Sequence, residues 1–197
     1  LCTYESKYAF LLLAMVVIPL IAEMETILHV WLGEVPVHAV MFCRFILIAA
    51  LCDQISIGWT SANQAIGQIR TYSIIFYTLK LFVIFIAWCC LQEGLPIISV
   101  MWGYVAIEFI GSFVRLPLMK HIANIPIIPF FKNVLLRIIG PLATMVVVCY
   151  SSAILIDIPY RLIITFSCSL VVGVLSIWGF ALNIEEKQYI KNIIKKK

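Results

Sequence analysis

Charge is scarce in this chain: 14 Lys and Arg and 10 Asp and Glu make up only 12% of 197 residues. A soluble domain carries about 25%, so these residues cannot clothe a water-facing surface of ordinary size. Catalytic signatures are also lacking. No GxSxG, HExxH, P-loop or Gly-rich dinucleotide turn occurs, and the polar loops are too short to house a soluble active site. That excludes an ATPase for this chain alone. An intramembrane enzyme such as an acyltransferase would need a mid-depth histidine or serine dyad that is missing, so no enzyme activity, cofactor or metal is expected. Cys2, Cys43, Cys52, Cys89, Cys90, Cys149 and Cys168 show no CxxC or Cys/His spacing, and all but Cys2 fall in apolar runs. They read as small buried hydrophobes rather than disulfides or ligands. The period-two alternation of barrel strands is absent as well.

What remains is apolar. Hydrophobic residues make up 63% and the mean hydropathy is +1.08. Six runs are each long enough to cross about 30 Å of hydrocarbon, which takes roughly 20 residues. Backbone groups in lipid must be satisfied within the segment, so the runs are expected to be helices. The fold class is therefore all-α, a polytopic membrane protein with six transmembrane helices at about 8–24, 37–58, 71–92, 96–118, 131–154 and 159–182. Pro36, Pro96 and Pro159 stand at first helical turns, where a missing N–H costs nothing. Pro19 and Pro141 fall inside spans one and five and are expected to kink them.

The few charges segregate. Lys7, Arg70, Arg115, Lys120, Lys132, Lys187, Lys191 and Lys195 to Lys197 occupy alternate ends. Glu25, Glu34, Glu93 and Asp157 occupy the others, with Arg161 the only nearby base. The positive-inside rule then puts both ends of the chain in the cytoplasm. The net charge of +4 comes largely from the tail and marks a membrane face rather than a nucleic-acid site. Residues 183–197 read either as an amphipathic helix on anionic lipid or as a frayed basic tail that only enforces topology. Phe130–Asn133 reads as a second interfacial elbow. Leu1–Tyr8 reads as a run-in to a helix already in progress, so a C-terminal piece of a longer protein is expected.

Charges inside a bilayer are costly, about 2.5–3.5 kcal/mol each on insertion scales, and are functional candidates by default. Arg44 in span two has no acid one turn away and is expected to face a cavity. Lys80 and Glu108, in spans three and four, fall at comparable depth. They either neutralise one another between packed helices or face a water-filled cavity, the cation drawing an anionic substrate and the carboxylate a coupling ion or proton. Asp53 lies near the inner interface, where capping or hydration would satisfy it. Arg137 is expected to snorkel. His29 and His38 flank an outer loop. Trp31, Trp59, Trp88 and Tyr160 fit an aromatic belt. Ser169 with Gly173, and Gly103 with Gly111, mark close helix contacts.

Several stretches resemble one family. Val30-Trp31-Leu32-Gly33-Glu34-Val35-Pro36 resembles the outer loop of bacterial polysaccharide and O-antigen flippases of the multidrug/oligosaccharidyl-lipid/polysaccharide (MOP) exporter superfamily. Ala62–Tyr72 resembles that family's inner turn, an A-x-G-K-I-K-x-Y pattern. Phe113–Leu116, Phe131–Arg137 and Glu185–Ile190 follow in the same order. The resemblance implies the C-terminal portion of a two-lobe protein of about fourteen helices, without the first lobe and the first two helices of the second. It further implies flipping of an undecaprenyl-diphosphate-linked oligosaccharide across the bacterial inner membrane in surface-polysaccharide biosynthesis. Membrane lipids, a glycan polymerase or glycosyltransferases, and a coupling ion would be its partners. The resemblance names no site residue, so Arg44, Lys80, Glu108 and Asp53 rest on membrane energetics alone. A MATE-like drug/cation antiporter and a non-catalytic scaffold subunit stand as alternatives.

Overall fold

The computed structural model describes residues 2–67, 69–123, 130–155, 161–183 and 186–188. These are mostly helical, with no strand among them. The chain runs through α1 (Cys2–Ala22), α2 (Met24–Leu32), α3 (Ala39–Gln54), α4 (Ile57–Ile66), α5 (Ile69–Gln92) and α6 (Ile97–Ala123). A π-helical turn, Phe131–Leu135, leads into α7 (Leu136–Leu155), and α8 (Arg161–Ser176) ends in a second π turn, Ile177–Ala181. Five helices are long and apolar enough to cross a membrane, and a bent pair makes a sixth. The protein is thus a multi-pass membrane protein in its architecture.

Helix α1 is the hub. Phe10, Leu11, Ala14, Met15 and Ile18 pack with Trp59, Val134, Ile138 and Met145 into the main apolar cluster. Lipid tails are as apolar as leucine, so burial alone gives little drive inside a membrane, and close approach matters more. The small residues supply it. A Cβ on Gly173 would lie 2.9 Å from the Met15 side chain and 3.0 Å from that of Met145. Ser169, on the same face of α8, is fully buried and donates to the Met15 carbonyl at 3.3 Å. Pro19 has no N–H to offer that carbonyl, four residues back, so a hydroxyl from another helix takes the vacated place. Gly103 and Gly111 give α6 the same closeness to α5, against Ile86 and Phe76. Apart from that seam α5 is nearly unburied.

The expected spans differ from the observed helices in telling ways. The first begins at Cys2 and contains Pro19 without stopping; the chain is interrupted only at Glu23 and then continues helically to Leu32. The second is not one helix over 37–58. It breaks between Gln54 and Ile57, and α4 turns away by 50°. Trp59 is no belt residue, because the bend carries it into the core at 1% exposure, edge-on to Phe130 with ring centroids 5.3 Å apart. Phe130 is likewise buried rather than interfacial. Trp31 and Trp88 are exposed, and Tyr160 lies outside the described residues. Pro141 sits within α7, and Arg137 is half-buried on it. Of the tail, only 183 and 186–188 are described. His29, His38, Glu25, Glu34 and Glu93 are exposed at one end of the bundle, and Arg70, Lys120 and Lys132 at the other. The seven cysteines are unpaired.

Candidate functional site

The break in the second span follows from its residues. Asp53, Gln54 and Ser56 are polar side chains that compete for backbone partners, and the helix tightens there into three-residue turns. The Ile55 N–H donates to Cys52 at 3.3 Å and the Ser56 N–H to Asp53 at 3.4 Å. The carbonyls at this helix end carry partial negative charge and need donors. Helix α6 provides them. Glu108, Ser112 and Arg115 are spaced four and three apart, so they share one face. Ser112 donates its hydroxyl to the Cys52 carbonyl. Arg115 donates Nη1 to the Asp53 carbonyl at 3.2 Å and to Ser56 Oγ at 2.9 Å, and Nη2 to Asp53 Oδ1 at 2.6 Å. Asp53 is therefore ion-paired, not simply hydrated. Arg115, which reads as a topology charge in the sequence, is a buried residue at 3% exposure.

Phe76 of α5 joins this cluster to the next. Its ring lies 4.0 Å from the Arg115 guanidinium and 4.9 Å from Lys80 Nζ. Lys80 pairs with Glu108 Oε1 at 2.9 Å, one turn before Ser112. The carboxylate is buried while Lys80 keeps 36% exposure, and Glu108 Oε2 has no partner. Arg44 is elsewhere. Its Nε donates at 3.0 Å to the carbonyl of Ile21, two residues before the interruption at Glu23. Of the four expected site residues, Lys80, Glu108 and Asp53 thus fall along one face of α6, and Arg44 does not join them.

The interruption at Glu23 holds a cluster that the sequence reading did not single out. Glu23 Oε1 accepts from Thr165 at 3.1 Å, and Oε2 accepts from Thr26 at 3.0 Å and from Arg161 Nη2 at 3.0 Å and Nε at 3.2 Å. Ser152 donates in turn to Thr165 at 3.3 Å. The signal was an acid inside an apolar stretch that continues to Leu32, with a threonine three residues on. Lys7 is a second surprise. It is 2% exposed, pairs with Glu186 at 2.6 Å and donates to the Ala181 carbonyl at 3.2 Å, closing the end of the π turn. Burial alone would raise the Glu186 carboxyl. The Lys7 ammonium and the Asn183 N–H outweigh it and hold that group below its ordinary value.

An apolar groove of about 190 Å³ runs between α1, α3 and α7, lined by Ile18, Ile21, Ile48, Leu51, Leu142 and Val146 among others. None of Arg44, Lys80, Glu108 and Asp53 lines it. Among the described residues no group of three His, Cys, Asp or Glu is placed to hold a metal. Chemically, the described residues offer four ion pairs, each with at least one buried member, and one buried carboxylate oxygen without a donor. Comparison with protein-family models, with characterised proteins and with solved structures finds no match to this chain.

Proposed function

We infer that this chain is part of a membrane transporter, and specifically the trailing helices of a polysaccharide flippase of the MOP type. The observation that carries the transport reading is the broken second span with ionisable residues gathered at its break. Interrupted membrane helices free backbone dipoles for other partners, and transporters use such places to hold substrates and ions. Intramembrane charges are retained where a pathway needs them. On this reading the basic end of the bundle faces the cytoplasm of a bacterial inner membrane, and other helices complete the path. The substrate is a diphosphate-linked glycan lipid, drawn by Lys80 and Arg44, with an ion gradient as driver. The motif order and spacing support the flippase identity.

The test is export of surface glycan in the intact protein. Lys80→Ala or Arg44→Ala is expected to abolish export while membrane insertion stays normal. Unchanged export with both would sink the cavity reading. A second reading has its own support: Lys80, Glu108, Arg115 and Asp53 are all paired, as befits a scaffold whose charges only lock helices. Exchange of Lys80 and Glu108 that restores function would favour it.

A further inference from the structure

Where α4 turns into α5, a cleft of about 90 Å³ opens between α4, α5 and α6. Its lining includes Asn63 and Arg115, which are 1% and 3% exposed. Each keeps a buried polar atom without a partner, Asn63 Oδ1 and Arg115 Nε. Leaving two such groups unsatisfied in one small space is costly, so the cleft is built to receive something polar. Thr60 Oγ1 and Tyr72 OH, 2.8 Å apart, add two hydroxyls to the wall, and Phe76 supplies an aromatic face. Exposed Gln64 stands at the rim.

The unmet atoms define the ligand. An anion would meet a guanidinium already neutralised by Asp53 and would face the Asn63 carbonyl oxygen. A cation would face the guanidinium. A hydroxyl can accept from Arg115 Nε–H and donate to Asn63 Oδ1. At about 30 Å³ per water, the space equals about three waters, enough for two hydroxyls on neighbouring carbons and too small for a whole oligosaccharide. The place narrows the source. The cleft lies at the end of a span, where lipid headgroups sit, and exposed Arg70 follows on the same turn to meet a phosphate. We propose that this cleft binds the vicinal diol of a glycerol headgroup, carried by an anionic phospholipid or offered as free polyol. The inference needs the chain to be in a membrane but does not need it to transport anything.

Reconstitution of the whole protein into phosphatidylcholine bilayers doped equally with phosphatidylglycerol or phosphatidylserine tests this, with retained lipid counted by native mass spectrometry. The two dopants carry the same net charge and differ in the diol. Retention of phosphatidylglycerol about tenfold above phosphatidylserine is expected, the worth of one good hydrogen bond, and Asn63→Leu should remove the preference. If that variant fails to insert, Gln64→Leu at the exposed rim should reduce the preference instead. Glycerol that displaces the retained lipid assigns the cleft to polyols in general; lipid retained against glycerol assigns it to the phosphate-anchored headgroup. Equal retention of the two lipids, or a preference that neither variant moves, overturns the proposal and leaves a cleft filled by water alone.

Discussion

In the first span the interruption buries a carboxylate: Glu23 is 0% exposed and its partner Arg161 31%. In the second the polarity is reversed, with Arg115 at 4% and its partner Asp53 at 35%. One break holds the charge on the interrupted chain itself and draws the counterion from α8. The other draws its buried charge from α6 and keeps the counterion on the broken helix. In both, one member reaches polar surroundings and the other cannot. The consequence is an asymmetry. Loss of the exposed member strands a charge in the interior, whereas loss of the buried member leaves a charge that water can reach.

The largest effects should follow that asymmetry. Arg161→Met and Asp53→Ala are each expected to cost about 3–5 kcal/mol, the range for leaving one member of a buried pair alone. Glu23→Gln and Arg115→Met should cost less, about 1–3 kcal/mol, from hydrogen bonds left unmade. Denaturant unfolding of the protein in detergent ranks the four, and equal losses would break the comparison.

Helix packing near the second break gives the next effect. A Cβ on Gly58 would collide with the Cys2 carbonyl, whereas one on Gly179 meets nothing within 4 Å. Gly58→Ala is expected to lose about 1–3 kcal/mol through overpacking, and Gly179→Ala to be near neutral; thermal unfolding separates them. Near the first break, Ser169→Ala removes the donor to the Met15 carbonyl freed by Pro19. About 1 kcal/mol is expected, typical of interhelical bonds in membranes, and the loss should vanish if Met15 already has another partner.

The smallest effect lies outside the spans. Glu186 titrates below its ordinary value of about 4.3, so its folded-state pKa is depressed. The stability it contributes is full above that ordinary value and is lost as pH falls through the lowered one. Hydrogen exchange at the α8 end should therefore accelerate only on the acid side, and Glu186→Gln should remove that pH dependence.

Length and apolarity made the spans legible, because twenty apolar residues in lipid leave the backbone no alternative to a helix. The breaks were not legible. No proline or glycine marks Ile55–Ser56, and hydropathy averages over Asp53 and Gln54. Pro19 stands inside α1, and the Met15 carbonyl that its missing N–H leaves free accepts from Ser169, a contact no reading of the first span alone could supply. Lys80 and Glu108 fell at one depth by counting residues, and their pairing followed from the short turn between α5 and α6. Lys7 and Arg115 read as end charges and Glu23 was not singled out, since burial depends on which helix lies opposite. The face shared by Glu108, Ser112 and Arg115 was the readable clue to the second break.

The most direct test of this account is a double substitution at the first break. If a stranded charge is what makes Arg161→Met costly, adding Glu23→Gln should recover stability, and the double variant should unfold at higher denaturant than Arg161→Met alone. Losses that simply add would contradict the claim that the buried member of each pair sets the energy of the break.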